Sequence, residues 1–171
     1  MNSTRIAPVA FCLLTWAAPA VPPGTPMLPP GSAKQPPPVR FEIRHAPGKK
    51  PGLLTSPDRK LTVRIVGDLQ AQIVEAASGN RVGPVLWHSQ RRDGMRIHTW
   101  AFSADGNRLA TASSEGDGED TVGEVRVWEV ATGKLLAVAT DARYELGRVY
   151  TVTFSGDGRA VLIHCEDISG K

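Results

Sequence analysis

Four histidines, two cysteines and one run of carboxylates carry most of the reactive chemistry in this sequence. His45, His88, His98 and His164 lie far apart and share no metal-ligand spacing. His98 and His164 fall inside alternating apolar runs, where a histidine reads as a hydrogen-bonded wall residue rather than a catalyst. Glu115, Asp117, Glu119 and Asp120 place four carboxylates in six residues. That is enough oxygen to attract a hard cation such as calcium. A helix–loop–helix calcium site, however, needs glycine at position six and a bidentate acid at position twelve. Counted from Glu115, those positions hold Asp120 and Arg126. The run therefore reads as a solvated loop between two strands, with charges that discourage edge pairing. Neither a Gly-x-Ser-x-Gly elbow nor a Gly-x-x-x-x-Gly-Lys phosphate loop occurs. The sequence thus assigns no catalytic residue, no cofactor-binding residue and no metal ligand, and no cofactor is expected.

The elements that would hold these side chains repeat. Phe102-Ser103-Ala104-Asp105-Gly106 returns 52 residues later as Phe154-Ser155-Gly156-Asp157-Gly158, each between alternating apolar runs. Val127-Trp128-Glu129-Val130-Ala131-Thr132-Gly133-Lys134 echoes Ile73-Val74-Glu75-Ala76-Ala77-Ser78-Gly79-Asn80 at a spacing of 54. A third echo, Ser56-Pro57-Asp58-Arg59-Lys60-Leu61, set against residues 103–109, lacks the glycine and is one residue shorter. A fixed period of strand, turn and strand marks a repeated β unit. The units run over residues 53–87, 97–140 and 149–171. Each reads as four short strands, which in the second unit are residues 97–103, 108–113, 124–130 and 135–140. Helix is disfavoured, because glycines interrupt every stretch long enough for three turns and no i, i+3, i+4 stripe persists. Trp100 with Phe102, and Val152 with Phe154, share strand faces, while Trp128 alternates with Val127. At period two these aromatics read as packing between sheets, which places Trp100, Phe102, Val127 and Phe154 in the core. The Glu115 to Asp120 run is expected at the surface.

Phe-Ser-x-Asp-Gly-x-x-Leu followed by a small-residue strand and Val-Arg-Val-Trp-Glu-Val-x-Thr-Gly-Lys resembles the WD repeat of β-propellers. That family builds four-stranded blades on a repeat of about 40–45 residues. The resemblance implies an all-β fold, a partial β-propeller of four-stranded antiparallel blades, over residues 39–171. There are departures. The Trp-Asp dipeptide is Trp128-Glu129 in one unit and Val74-Glu75 in the other. The Gly-His pair before the first strand is missing; His88 stands roughly in its place once, and Asp141 near it in the next unit. Asp68 matches the tight-turn aspartate of the first unit, but the acidic insertion displaces it in the second. The family's Asp–His–Ser/Thr hydrogen-bond network therefore has no clear equivalent in the sequence.

The N-terminus reads as a leader. Residues 1–20 combine Arg5, a short apolar run from Ile6 to Ala18, and small residues at Ala18 and Ala20, which is the pattern of a secretory signal peptide. The run is too short and too proline-interrupted for a comfortable membrane span. Cys12 follows bulky Phe11, where a lipid-attachment site wants a small residue. Cys165 sits among Val161, Leu162 and Ile163 and reads as a buried core thiol. Residues 21–38 form a Pro-rich linker; residues 19–38 hold nine of the fourteen prolines. Such a segment favours polyproline II and acts as a spacer. Residues 39–45 are the first plausible strand. The net charge of +3 is mixed rather than clustered, which argues against nucleic acid as a partner.

A closed propeller has four to eight blades, and about two and a half are present. Three readings stay open: a fragment of a longer product, assembly with copies or a second polypeptide, or a small sandwich-like domain. The resemblance implies a non-enzymatic interaction or scaffold module, and the leader implies an extracytoplasmic (periplasmic or secreted) location. Its partners would be a protein or peptide or further blades, with self-association also open. The alternative is the propeller portion of a larger hydrolase or ligand-binding protein whose catalytic part lies elsewhere.

Overall fold

The computed structural model describes residues 37–44, 52–89, 93–115, 122–140 and 146–166. These fall within one compact unit, Pro36–Lys171; the other, Met1–Gln35, lies outside the described residues. So do the leader at 1–20, all of the linker before Pro37, His45, Asp141, the acidic residues 116–120 and the end at 168–171. The expectations placed on them are not addressed by the fold.

Among the described residues every regular element is a strand. They are β1 (Arg40–Arg44), β2 (Leu61–Gly67), β3 (Gln70–Glu75), β4 (Arg81–Trp87), β5 (Arg96–Phe102), β6 (Arg108–Ser114), β7 (Gly123–Glu129), β8 (Leu135–Thr140), β9 (Val149–Phe154) and β10 (Ala160–Cys165). The four strands expected in the second unit all form, with ends within one residue of expectation. They make an antiparallel sheet in the order β5-β6-β7-β8. The first unit is a three-stranded sheet, β2-β3-β4, and the third is β1-β10-β9.

Two expectations about the units are corrected. The first unit has three strands, not four. Its leading segment makes only two isolated bridges, Thr55 with Thr62 and Leu53 with Phe102. The reason lies at Gly52, where an added Cβ would stand 2.3 Å from the Ala101 Cβ and 2.6 Å from the Val152 carbonyl oxygen. The chain is pressed against β5 and β9 there, so it cannot also run along β2. The third sheet, for its part, gains a strand from far away in sequence. β1 pairs with β10 in parallel, Phe41 opposite Val161 and Ile43 opposite Ile163. It takes the place that β7 holds beside β6, where the pairing is antiparallel.

The turns explain why the repeat is legible. In the second unit the Ser103 Oγ donates to Asp105 at 2.6 Å and accepts from the Arg108 amide at 2.9 Å. In the third, Ser155 Oγ, Asp157 and the Ala160 amide repeat this at 2.6 and 2.9 Å. In the first, Ser56 Oγ donates to Asp58 at 2.5 Å and accepts from the Leu61 amide at 2.9 Å. Leu61 thus corresponds to Arg108 rather than to Leu109, and the first turn is not a residue shorter. Gly106 and Gly158 supply the left-handed residue at φ 72° and 66°. The first turn reaches the same conformation with Arg59, at φ 60°, a cost glycine avoids.

The four-stranded sheet is covered on both faces. On one, Ala110, Ala112, Val125 and Val127 pack with Val149, Val152, Val161, Ile163 and Cys165 of the third sheet. On the other, Phe102, Leu109, Trp128 and Val130 pack with Val63, Ala71, Ile73 and Leu86 of the first. Period-two alternation assigns each residue to its face: Val127 and Trp128 are neighbours in sequence and lie in opposite cores. Cys165 is fully buried, as expected. Phe102 and Val127 are buried too, but Trp100 and Phe154 are only half-buried. Both lie on first strands at sheet margins, β5 and β9, where no further strand of the same sheet covers them. The described residues form an open stack of three sheets, and a closed ring is not among their arrangements.

Candidate buried polar centre

The side chains with the most chemical potential converge between the first two sheets. His88, just past the end of β4, projects toward β6, which presents Thr111 and Ser113 on one face. The His88 Nε2 lies 2.6 Å from the Thr111 Oγ1, and Nδ1 lies 2.9 Å from the Ser113 Oγ. From β7, the Trp128 Nε1 donates to the same Thr111 oxygen at 2.8 Å. Glu124, also on β7, brings its Oε1 to 3.2 Å from the His88 Nδ1. That oxygen also accepts from the Ser89 amide at 3.1 Å and from the Arg126 Nε at 2.6 Å. Arg126 continues outward, donating to the Trp87 carbonyl at 2.7 Å and to the Ser89 hydroxyl. Its guanidinium carbon stands 5.9 Å from the Trp128 ring centre.

Proton placement follows from the partners. Thr111 accepts from the indole, so its own proton points to the His88 Nε2. The opposite nitrogen then carries hydrogen and shares it between the Glu124 carboxylate and the Ser113 hydroxyl. The imidazole is neutral in this arrangement. Burial pushes its pKa below 6.5, against the opposing pull of Glu124. Burial acts to raise the Glu124 pKa, but donation from His88, Arg126 and the Ser89 amide outweighs it and holds the carboxyl at about 2. The centre is thus one ionised acid, one neutral ring and one guanidinium, all hydrogen-bonded. Satisfaction of that kind is what permits polar groups in an apolar interface.

A serine, a histidine and an acid within hydrogen-bond reach invite comparison with a nucleophilic relay. A relay sets the hydroxyl on one ring nitrogen and the orienting carboxylate on the other; Thr111 on Nε2 and Glu124 on Nδ1 take those places, while Ser113 shares Nδ1 with the acid, but the Thr111 oxygen also accepts from the buried Trp128 indole. The His88 side chain is wholly buried and Glu124 nearly so, and Thr111 and Ser113 are buried as well. A cavity of about 330 Å³, lined by Asp68, Gln70, Trp87, Gly94 and Met95, reaches His88 from outside, yet the ring's two nitrogens are already occupied. The arrangement locks two sheets together.

The remaining sequence candidates are dispersed. His98, on β5, donates from Nε2 to the Val149 carbonyl at 2.6 Å, the hydrogen-bonded role expected of it. His164, on β10, does not follow that expectation: its Nδ1 is buried without a hydrogen-bond partner, as is the Oγ1 of its cross-strand neighbour Thr151. Asp68 contributes its backbone carbonyl to the Ile97 amide at 2.7 Å and no side chain to the centre. Among the described residues no three His, Cys, Asp or Glu side chains gather around a metal-sized space. The sequence left an acid–His–hydroxyl network in doubt, and the structure holds a hydrogen-bonded acid, histidine and hydroxyls at one place. The acid is Glu124, which lies across a loop from its partners, and the signal that could have found it was the inward position of a charged residue two places before Arg126 on a buried strand. No protein-family model matches the chain, and no curated protein matches it.

Proposed function

We propose that the chain is part of an exported β-propeller of the WD-repeat type and serves as a non-enzymatic interaction module. The observation that carries this reading is the stacking. Three sheets built on one Ser-x-Asp turn use their apolar faces against each other, with the middle sheet sealed on both sides. What remains for function is loops, margins and outer faces. Glu124, His88 and Thr111 take the acid, histidine and hydroxyl roles that the resemblance assigns to the propeller network. Repeats of this architecture bury apolar surface against neighbours and present extended surfaces to proteins or peptides.

The test places a photoreactive residue at Trp87, 57% exposed on β4, and at Leu109 in the core as a control. Ultraviolet-dependent adducts with a defined protein at Trp87 only are expected, recovered from the extracytoplasmic compartment. Covalent labelling of Ser113 by a fluorophosphonate, lost in Ser113→Ala, would overturn the non-enzymatic reading. An N-terminal reporter fusion that stays in the cytoplasm would overturn export.

A further inference from the structure

The cavity outside the buried centre presents polar groups that the fold leaves unused. Its volume is about 330 Å³, with Asp68, Gln70, Trp87 and Gly94 as walls and His88 and Met95 as the buried floor. Backbone bonds hold the walls in place. The Asp68 carbonyl accepts from the Ile97 amide at 2.7 Å, and the Leu69 carbonyl from the His88 amide at 2.9 Å. The turn between β2 and β3 is thus pinned to β5 and to the end of β4. Gln70 and Trp87 are register partners on β3 and β4, which sets their side chains on one face. Trp87 is the most exposed large apolar side chain among the described residues. Gly94, at φ 85°, adds no side chain. The floor offers no further polar contact, because both His88 nitrogens are bonded and Met95 is apolar. What faces the cavity is a carboxylate, a carboxamide and an indole. Among the described residues no hydrogen bond or ion pair engages the Asp68 carboxylate or the Gln70 amide group.

Charge decides what fits. Behind the floor, Glu124 and Arg126 meet at 2.6 Å and offset each other. The His88 ring is neutral, so Asp68 is the one charged residue lining the cavity. An indole face attracts cations. A carboxylate matches the forked edge of a guanidinium, which also lies flat on aromatic rings. An ammonium would use the charge of Asp68 but neither the fork nor the plane. A neutral ligand would leave that charge without a partner. We propose that the cavity binds the guanidinium of an arginine side chain carried by a protein or peptide partner. Its face lies on Trp87, and its forked edge meets the Asp68 carboxylate and the Gln70 amide oxygen. The proposal rests on the interaction-module reading and supplies that module's recognition chemistry. Because the turn is pinned before binding, little ordering has to be added on capture.

The experiment is a nuclear magnetic resonance titration of the isotope-labelled full chain, read at the Trp87 indole and the Gly94 amide. The probes are short peptides blocked at both ends and identical except for a central arginine, lysine or citrulline, the last an uncharged match in shape. The arginine peptide is expected to shift both signals saturably, the lysine peptide to bind less tightly, and the citrulline peptide to shift neither. Asp68→Asn and Trp87→Leu, read at Gly94, are each expected to weaken arginine binding by at least roughly tenfold, about 1.4 kcal/mol. Asp68→Asn keeps the backbone carbonyl that holds the turn, so its thermal melt is expected to match wild type. No saturable shift, equal shifts from arginine and citrulline, or arginine binding indifferent to Asp68→Asn would each overturn the proposal. Saturation by a neutral hexose and not by arginine would overturn it in favour of a sugar site. Silence toward arginine alongside a defined adduct at Trp87 would sink the guanidinium and leave the interaction-module reading standing. Arginine binding that needs Asp68, without any adduct at Trp87, would support the site and count against that reading.

Discussion

Thr111 is the hinge of the buried centre, because it both accepts from Trp128 and donates to His88. Replacing it by valine keeps the shape and orphans an indole N–H and a ring nitrogen. Each buried orphan costs about 1–3 kcal/mol, so Thr111→Val is expected to lower unfolding free energy by about 2–5 kcal/mol. Trp128→Phe removes one orphan in advance. In that background Thr111→Val should cost less, by about 1–2 kcal/mol, and denaturant melts of the four species measure this coupling. Strict additivity would mean that the two side chains do not act through their bond. Protonation gives a second handle. The folded His88 pKa lies below 6.5, so at lower pH the unfolded chain takes up a proton that the folded chain resists. Stability from this ring is complete above pH 6.5 and falls as pH drops below it. The Glu124 contribution is complete above pH 4.5 and is lost progressively as pH falls toward about 2. His88→Gln can still donate to Glu124 and accept from Thr111. Its melting temperature is expected to stay flatter than wild type between pH 6.5 and 4.5, and equal slopes would show that the ring is protonated in the folded state.

At the scale of elements, the turns carry the repeat, and one of them is under strain. Arg59 adopts φ 60° where its two counterparts are glycines. A side chain in that region costs about 1–2 kcal/mol, while glycine gives back about 0.4–1 kcal/mol by loosening the unfolded chain. Arg59→Gly is therefore expected to raise stability by up to about 1 kcal/mol, read as a higher denaturant midpoint with an unchanged slope. A lower midpoint would mean that the Arg59 side chain contributes more than its backbone costs. The same turns show what was readable in the sequence. Strands β5 to β8 were legible to within a residue, because Val, Ile, Thr and Trp alternate between turns that need particular residues: Ser103 and Asp105 at one end, Thr132 and Gly133 at the other. Relations across the sheet order were not legible. Nothing near Phe41 or Ile43 announces a parallel partner 120 residues away, because pairing of that kind depends on which edge is left open rather than on local pattern. The half-burial of Trp100 and Phe154 escaped for a related reason. Alternation gives the face of a residue, but its depth depends on what lies beside the strand. The polar centre was half legible. His88 stood in roughly the right place, but its acid was sought as an aspartate in a turn and came instead as Glu124 on a strand.

The whole molecule is held across sheets by contacts that no single repeat contains, and Arg108 is the clearest of them. It is buried at the start of β6, yet its guanidinium leaves its own sheet. Nη1 donates to the Gly158 carbonyl at 3.0 Å, in the turn of the third unit. Nη2 donates to the Pro37 carbonyl at 2.8 Å, in the segment that leads into β1. The Arg40 amide meets the Arg159 carbonyl at 3.0 Å beside it. One side chain thus ties the middle unit, the last turn and the N-terminal strand. Its counterparts, Leu61 and Ala160, have no such reach. Hydrogen bonds from a charged group contribute about 1.5–3 kcal/mol each when lost in a buried setting, and Arg108→Met preserves most of the apolar stem. The variant is expected to lose about 2–4 kcal/mol, and the loss should be uneven. Hydrogen exchange is expected to quicken at β1 and at the amides of Gly158 and Ala160, while β3 keeps its protection. Loosening spread evenly over all three sheets would mean that Arg108 supports the core as a whole. Loosening confined to the third sheet and β1 would make this guanidinium the link through which a strand from the N-terminus is held in the last sheet.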